Sequence, residues 1–437
     1  MIRLANVLVI DAARPLAGSL SAMLDAAGYS VTQAAAGDDP LGRAAADHPD
    51  LVLIGDDGPA ALELAAALRG NPATDDIPLL LVAAQPDAHL ALAAFDGGFD
   101  DVIPAACDEG ELLARMRPLV RLSTMHGELG RRAEVARRFG VTARDRVTAA
   151  EITDHPVLLA VGAPAGLVES ILGTEAEVVP SDSLFEAESQ LAARNFDAAV
   201  VAAAAGSDED VLGFCTQVRH NPRLFNLPII LSGADGASAA DSYRRGASRV
   251  LAPTADPLDL RAAVLSLVRR QQLRWSIRSA MNDALAPATR DPETGAFTAA
   301  FLDAYLQDRL AFALGCQRHL AVVVFDAPNI DGVRRQFGED AALHLTQQLG
   351  QWIGGLLRAE DLVARTGRHE FCAVLPDTPL AEAQVVMHRI AGVLAYTDFA
   401  VRDVYQPVKV WVQVGATSAR NGDDIPRLLG RARRQIE

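Results

Sequence analysis

The stretch Arg69-Gly70-Asn71-Pro72, running into Ile77-Pro78, returns at a constant offset as Arg219-His220-Asn221-Pro222, running into Leu227-Pro228. A long-period recurrence of this kind means one supersecondary pattern laid down twice, and the flanking residues say which pattern. Short apolar runs bounded by turn residues, Val7 to Ile10, Leu51 to Ile54, Leu79 to Val82 and Asp101 to Ile103, alternate with Ala/Leu-rich helical stretches. The same rhythm restarts after Pro156 with Val157 to Val161, Ala198 to Val201, Ile229 to Leu231 and Arg249 to Leu251. Runs of this length read as strands buried on both faces of a parallel sheet. Their alternation with helices gives βαβ units, hence two doubly wound α/β domains in tandem.

With 437 residues the chain has room for roughly three domains, so a third follows the repeat. The expected division is 1–122, a helical linker 123–154, a second copy 155–272, a helical linker 273–289 and a distinct domain 290–437. Residues 117–150, rich in Arg, Glu and Ala, read as a helix leaving the first copy. A second helix, Leu260 to Ala284, carries Leu265, Val268, Gln272, Trp275 and Ser279 at spacings of three and four, a stripe able to pack on a neighbour.

A net charge of −16 argues against general affinity for nucleic acid or anionic lipid, which both need a basic field. Cys107, Cys215, Cys316 and Cys372 lack the close pairing of a zinc site or redox dithiol and read as small buried hydrophobes. No apolar run approaches the ~20 residues that cross a bilayer. Met1 to Asp11 leads straight into a strand without a signal-peptide pattern, so a cytoplasmic protein without membrane insertion is expected.

Residues 5–122 and 155–272 resemble the receiver domains of response regulators, which are flavodoxin-like. Receivers hold Mg²⁺ with an acidic pair after the first strand and phosphorylate an Asp ending the third. Carried onto this sequence, the resemblance implies degenerate sites. In the first copy Asp11 keeps one acidic position beside Ala12, Gly55 stands at the acceptor position with Asp56 one residue late, and Ala83 and Ala105 replace the hydroxyl and the lysine. The second copy has Val161-Gly162, Ala202, Gly233 and Ala252 or Pro253 there, too few carboxylates for a divalent ion. Both copies are expected to act as docking or dimerisation modules. Asp11 and Asp56 are either a slipped phosphoacceptor site or turn chemistry.

The third segment is similar to GGDEF domains, the cyclase, polymerase-palm-like fold of diguanylate cyclases. The resemblance rests on Asp291-Pro292-Glu293-Thr294-Gly295, Ala321 to Phe325 followed by Asp326, Phe337-Gly338-Glu339-Asp340, the hairpin Arg365 to Phe371, and Pro376-Asp377-Thr378. Active members hold two metals on GTP with an Asp after the first strand and an acid in the hairpin, implied here to be Asp326 and Glu370. Beside Gly367, Arg368 replaces a glycine whose bare backbone approaches the phosphates. His369 replaces a catalytic acid and is a poor ligand for a hard cation. Arg334 and Leu343 stand where the family reads guanine, and the chain reaches Glu437 before the family's late Lys and Arg. A vestigial active site, with no catalysis and no required metal, is expected.

The family's product site, R-x-x-D, is complete as Arg358-Ala359-Glu360-Asp361. A guanidinium fork suits guanine O6 and N7, and a carboxylate accepts from N1–H and N2–H. Arg389 aligns with the family's secondary contact; Arg365 either assists or is a strand-edge charge. Trp352 and Trp411 read as core. The whole architecture resembles non-catalytic cyclic di-GMP effectors of bacterial cell-cycle signalling. That resemblance implies a homodimer, recruitment to a cell pole, and protein partners reached through the receivers in adaptor-type regulated proteolysis. The alternative is an active diguanylate cyclase with a divergent motif.

Overall fold

The computed structural model describes every residue except 1, 12–16, 36, 56–57, 149–154, 163–164, 222, 235, 403 and 437. Ala12, Asp56 and Pro222 thus lie outside the described residues. The chain divides into two compact units, one of residues 6–123 with 147–276, the other of 1–5, 124–146 and 277–437.

The first unit holds both copies of the repeat. In one, β1 (Asn6–Asp11), β2 (Ser30–Ala35), β3 (Leu51–Gly55), β4 (Leu79–Ala83) and β5 (Asp101–Pro104) form a parallel sheet in the order β2-β1-β3-β4-β5. In the other, β6 (Val157–Val161), β7 (Glu177–Ser181), β8 (Ala198–Ala202), β9 (Ile229–Ser232) and β10 (Arg249–Leu251) form a parallel sheet ordered β10-β9-β8-β6-β7. Read by position within each copy, the two orders are the same, the flavodoxin-like arrangement. The central runs are buried on both faces, as continuous apolar strands must be. The sequence pattern had no signal for β2 and β7. Both are edge strands, half solvated, and contain Ser30, Thr32 and Gln33 or Glu177 and Pro180, which an edge tolerates.

The repeated Arg is a clamp. Arg69 donates through Nε to the Gly98 carbonyl (2.9 Å) and through Nη1 to those of Asp75 (2.6 Å) and Ile77 (2.8 Å). Arg219 does the same to Gly246 (2.8 Å), Phe225 (3.1 Å) and Leu227 (2.7 Å). One guanidinium therefore ties the end of a helix, the following turn and the approach to the last strand, which explains why this segment kept its spelling twice.

The helix from the first copy spans Glu109–Arg138, and that from the second spans Pro257–Met281 followed by a 3-10 turn Asn282–Ala284. The stripe expected on the latter is corrected: Val268 and Gln272 are buried, but Trp275 is 36% exposed and Ser279 is exposed. Leu260, Val264 and Leu267 pack on the second sheet, whereas Ala284 joins the core of the other unit. Two cores served by one segment require two faces.

Within the first unit, the copies meet at a buried charge cluster. Arg115 binds Asp101 through Nη2 (2.6 Å) and Nε (3.0 Å) and Glu111 through Nη1 (2.7 Å). Arg249 of the second copy pairs with the same Asp101, and Tyr243 donates to Glu111 (3.2 Å). Burial alone would raise the Asp101 carboxyl, but the charges of Arg115 and Arg249 outweigh it and hold it far below the usual carboxylate range. A carboxyl lowered by folding lends its stability above its unfolded value of about 4 and loses it as pH falls through the folded value.

In the second unit β11 (Phe297–Thr298), β12 (Leu320–Asp326), β13 (Leu362–Arg365), β14 (Glu370–Pro376) and β15 (Gln413–Ser418) form a mixed sheet ordered β11-β13-β14-β12-β15. The latter part of helix Glu109–Arg138 packs here: Glu128 forms a buried ion pair with Arg309 (3.0 Å) and accepts from Tyr305, while Arg309 also reaches Asp377 (2.9 Å).

Three expectations about burial fail. Trp352 is 41% and Trp411 69% exposed rather than core. Trp352 lies on helix Glu339–Gly355 with its ring edge-on to Phe399, and Trp411 precedes β15 outside any strand. Of the cysteines, Cys215 and Cys372 are buried, but Cys316 caps a helix end in solvent and Cys107 is half-buried.

Asp101→Asn should leave the buried Arg249 guanidinium without its carboxylate and Arg115 with Glu111 alone, and cost about 3–5 kcal/mol. Urea unfolding followed near neutral pH should show that loss, and the variant should lose part of the wild type's fall in stability below about pH 4.

Candidate functional site

Strands β12 and β14 run antiparallel in a register that sets Asp326 directly against Glu370. The two carboxylates expected to survive from a metal site are therefore brought together, at the open end of the sheet. Both are engaged by other side chains. His369 Nδ1 lies 2.6 Å from Asp326 Oδ1, and its Nε2 lies 3.5 Å from Asp331 Oδ2. Arg433 holds Glu370 with two bonds, Nη2 to Oε1 (2.7 Å) and Nε to Oε2 (3.0 Å), and Thr366 Oγ1 donates to Oε1 (2.6 Å). Burial raises the Glu370 carboxyl, but the bonds from Arg433 and Thr366 outweigh it and leave it below its ordinary value.

Arg433 went unnoticed in the sequence. It belongs to helix Ile425–Arg434, which lies so close to β15 that a Cβ on Gly415 would strike the Ala432 carbonyl. A glycine there lets the helix approach, and the approach delivers Arg433 to Glu370. A late basic residue thus does reach the hairpin, on the carboxylate rather than in a place left for a phosphate.

The hairpin itself is held by Arg365, which donates to the carbonyls of Gly367 (3.1 Å) and Arg368 (2.9 Å), to Asp291 (3.2 Å) and to Glu293. Asp291 in turn accepts from Thr294 N (2.9 Å) and Oγ1 (2.7 Å). The Asp291–Gly295 turn and the hairpin are one braced unit, so Arg365 is a brace rather than a free edge charge. Arg368 projects into solvent at the second glycine position, and Arg334 pairs with Asp331 and with Glu339 (2.7 Å). Among the described residues no group of three or more His, Cys, Asp or Glu could hold a metal ion. As donors, an imidazole-bound Asp326 and a doubly bonded Glu370 do not suit a hard divalent cation, which needs free oxygen ligands.

The R-x-x-D segment forms a tight turn between helix Glu339–Gly355 and β13. Asp361 N donates to the Arg358 carbonyl (3.2 Å), and Asp361 Oδ2 accepts from Arg358 N (2.9 Å). Asp361 is buried, while the Arg358 side chain is exposed and makes no hydrogen bond or ion pair among the described residues. Arg389, on helix Leu380–Tyr396, donates to the Leu356 carbonyl (2.9 Å), two residues before the motif. The structure thus gathers Arg358, Asp361 and Arg389 around one turn. Beneath it lies a residue the sequence did not point to, Arg132, whose Nη2 donates to the carbonyls of Glu360 (2.7 Å) and Asp361 (2.9 Å).

In the receivers, Asp11 ends β1 opposite Gly55 of β3, and Ala83 and Ala105 meet at the ends of β4 and β5. Asp56, the other half of the slipped phosphoacceptor expectation, lies outside the described residues. In the second copy Val161, Ala202 and Gly233 occupy the corresponding strand ends and bring no carboxylate.

Residues 288–437 match the family described as diguanylate cyclase, GGDEF domain. Across nearly its whole length the chain is related to the response regulator PleD of Caulobacter vibrioides, at 25% identity over 434 residues covering 97% of this chain and 94% of PleD. It is also 36% identical over 158 residues to the response regulator MprA of Mycolicibacterium vanbaalenii, covering 35% of this chain and 66% of that protein. Among solved structures, the GGDEF domain of YfiN from Pseudomonas aeruginosa is 26% identical with a TM-score of 0.31, covering 32% of this chain and 88% of that one. The GGDEF domain of DgcB from Caulobacter crescentus, solved in complex with c-di-GMP, is 18% identical with a TM-score of 0.33, covering 34% and 85%.

Removing the guanidinium in Arg433→Ala leaves Glu370 with its burial, the Thr366 bond and the weaker influence of His369. Its carboxyl should rise to or above the ordinary value of about 4.3, read by carboxyl ¹³C NMR titration.

Proposed function

We propose that this chain is a non-catalytic cyclic di-GMP receptor of the PopA type, a response regulator that binds the dinucleotide at Arg358, Asp361 and Arg389 and passes the signal to protein partners. The observation that carries this is the contrast between the two ends of the GGDEF domain. At the hairpin, Asp326 and Glu370 are both engaged by side chains of the same chain, the His369 imidazole and the Arg433 guanidinium. At the turn, an exposed guanidinium and a carboxylate stand three residues apart with a second arginine beside them. Guanine presents acceptors on one edge and donors on another, and these groups match both. A dinucleotide with two guanines and two phosphates can stack on and bond to further arginine planes.

In this reading the receivers, poor in phosphorylation chemistry, serve as docking surfaces for a homodimer or for an adaptor in regulated proteolysis, with recruitment to a cell pole as the cellular outcome. The competing reading is an active diguanylate cyclase with a divergent motif, which the preserved Asp326–Glu370 register favours.

Titration calorimetry of the full chain with cyclic di-GMP should give binding at roughly micromolar dissociation constant, weakened at least about tenfold by Arg358→Ala. The same protein incubated with GTP and Mg²⁺ should form no cyclic di-GMP. Product that disappears in Glu370→Ala would establish the cyclase instead.

A further inference from the structure

We infer that Arg132 is the positioning residue of the dinucleotide site: it presets the R-x-x-D turn from beneath and makes the helix that carries it respond to occupancy of the turn. This rests on the receptor reading above and adds to it the element through which binding is felt.

Arg132 is 5% exposed, and its hydrogen bonds among the described residues go to the Glu360 and Asp361 carbonyls alone. Burying a guanidinium is costly unless its donors are met. Here Nη2 is met by the last two residues of the turn while the buried Nε has no hydrogen-bond partner, so a shift of the turn strips a buried cation and a shift of the helix frees the turn. The helix is not free to follow, because one turn earlier Glu128 is fixed by Arg309 and Tyr305. Position 132 is therefore held against a fixed point, and the turn is held against position 132.

The ligand-facing groups are the other end of the same chain of contacts. Arg132 bonds the Asp361 backbone, the Asp361 side chain bonds the Arg358 backbone at 2.9 Å, and Arg358 presents the exposed guanidinium. A guanine that takes Asp361 through N1–H and N2–H draws on the carboxylate that now closes the turn. The turn then has to readjust at the carbonyls that Arg132 holds. That helix, Glu109–Arg138, is continuous with the last helix of the first receiver.

The test uses the full chain with cyclic di-GMP as the probe, read by calorimetry and by hydrogen exchange of peptides covering 124–138. In the wild type, ligand should slow exchange both at 356–365 and at 124–138. Arg132→Met and the charge-conserving Arg132→Lys should each weaken binding roughly tenfold, one lost charge-assisted bond or more, and abolish the ligand-dependent slowing at 124–138. Arg131→Met, which removes contacts to Glu128 and the Phe312 ring but none to the turn, should bind within about twofold of wild type. If Arg132→Met fails to fold, Arg132→Lys decides. Should both Arg132 variants bind and slow exchange as the wild type does, or Arg131→Met weaken binding as much, the positioning role is overturned while the receptor stands. A wild type that ignores the ligand overturns both.

Discussion

Like charges set directly opposite one another across an antiparallel strand pair repel, and the register of β12 on β14 does this to Asp326 and Glu370. A domain that keeps both carboxylates has to bring positive charge or donors to that end of the sheet. This chain brings its own: an imidazole next in the hairpin, a threonine hydroxyl, and a guanidinium from its C-terminal helix. His369 and the glycine at 415, which lets Arg433 approach, belong to one arrangement in which both carboxylates at the strand end meet donors of the same chain. Nearby, Arg334 is likewise paired within the chain, with Asp331 and Glu339.

What was legible in the sequence follows from which physical signals are local. Apolar runs announce themselves, so eight strands of the receiver pair, the six interior ones with the edges β5 and β10, could be placed and their repeat recognised. Strands β2 and β7 could not, because their polar residues, tolerated at a solvated edge, remove the apolar signature while the backbone pairing remains. Trp352 and Trp411 misled because aromatic identity says how much area a side chain would bury, not which way its backbone faces. The positions of Asp326, Glu370, Arg358 and Asp361 could be named from motif spacing. Arg433 on Glu370 and Arg132 on the turn could not, since each contact joins segments far apart in the chain and depends on a helix passing at the right height.

Lys409 is the single lysine among the 40 basic residues, and the structure uses the difference. Arg69, Arg219 and Arg132 each serve two or more backbone carbonyls from one side chain, and Arg115 grips a buried carboxylate with two nitrogens. An ammonium is a point charge with a tight hydration shell, whereas the planar fork presents donors in fixed directions and surrenders less water when buried. Arginine can therefore stand in the interior as a spacer between elements, satisfying carbonyls that helix ends and turns leave unpaired.

The same property ties the two ends of the C-terminal domain together. At the hairpin, an arginine satisfies a carboxylate; at the R-x-x-D turn, one arginine supports the backbone from within while another faces solvent. A ligand can bias a conformation only through contacts that differ between its states. In the proposed receptor, the exposed Arg358 and the turn-closing carboxylate of Asp361 are where such a difference would arise, because binding there would exchange an internal bond for an external one. In the proposed receptor the buried Arg132 would make that exchange consequential, because the carbonyls it holds are the ones that meet its Nη2.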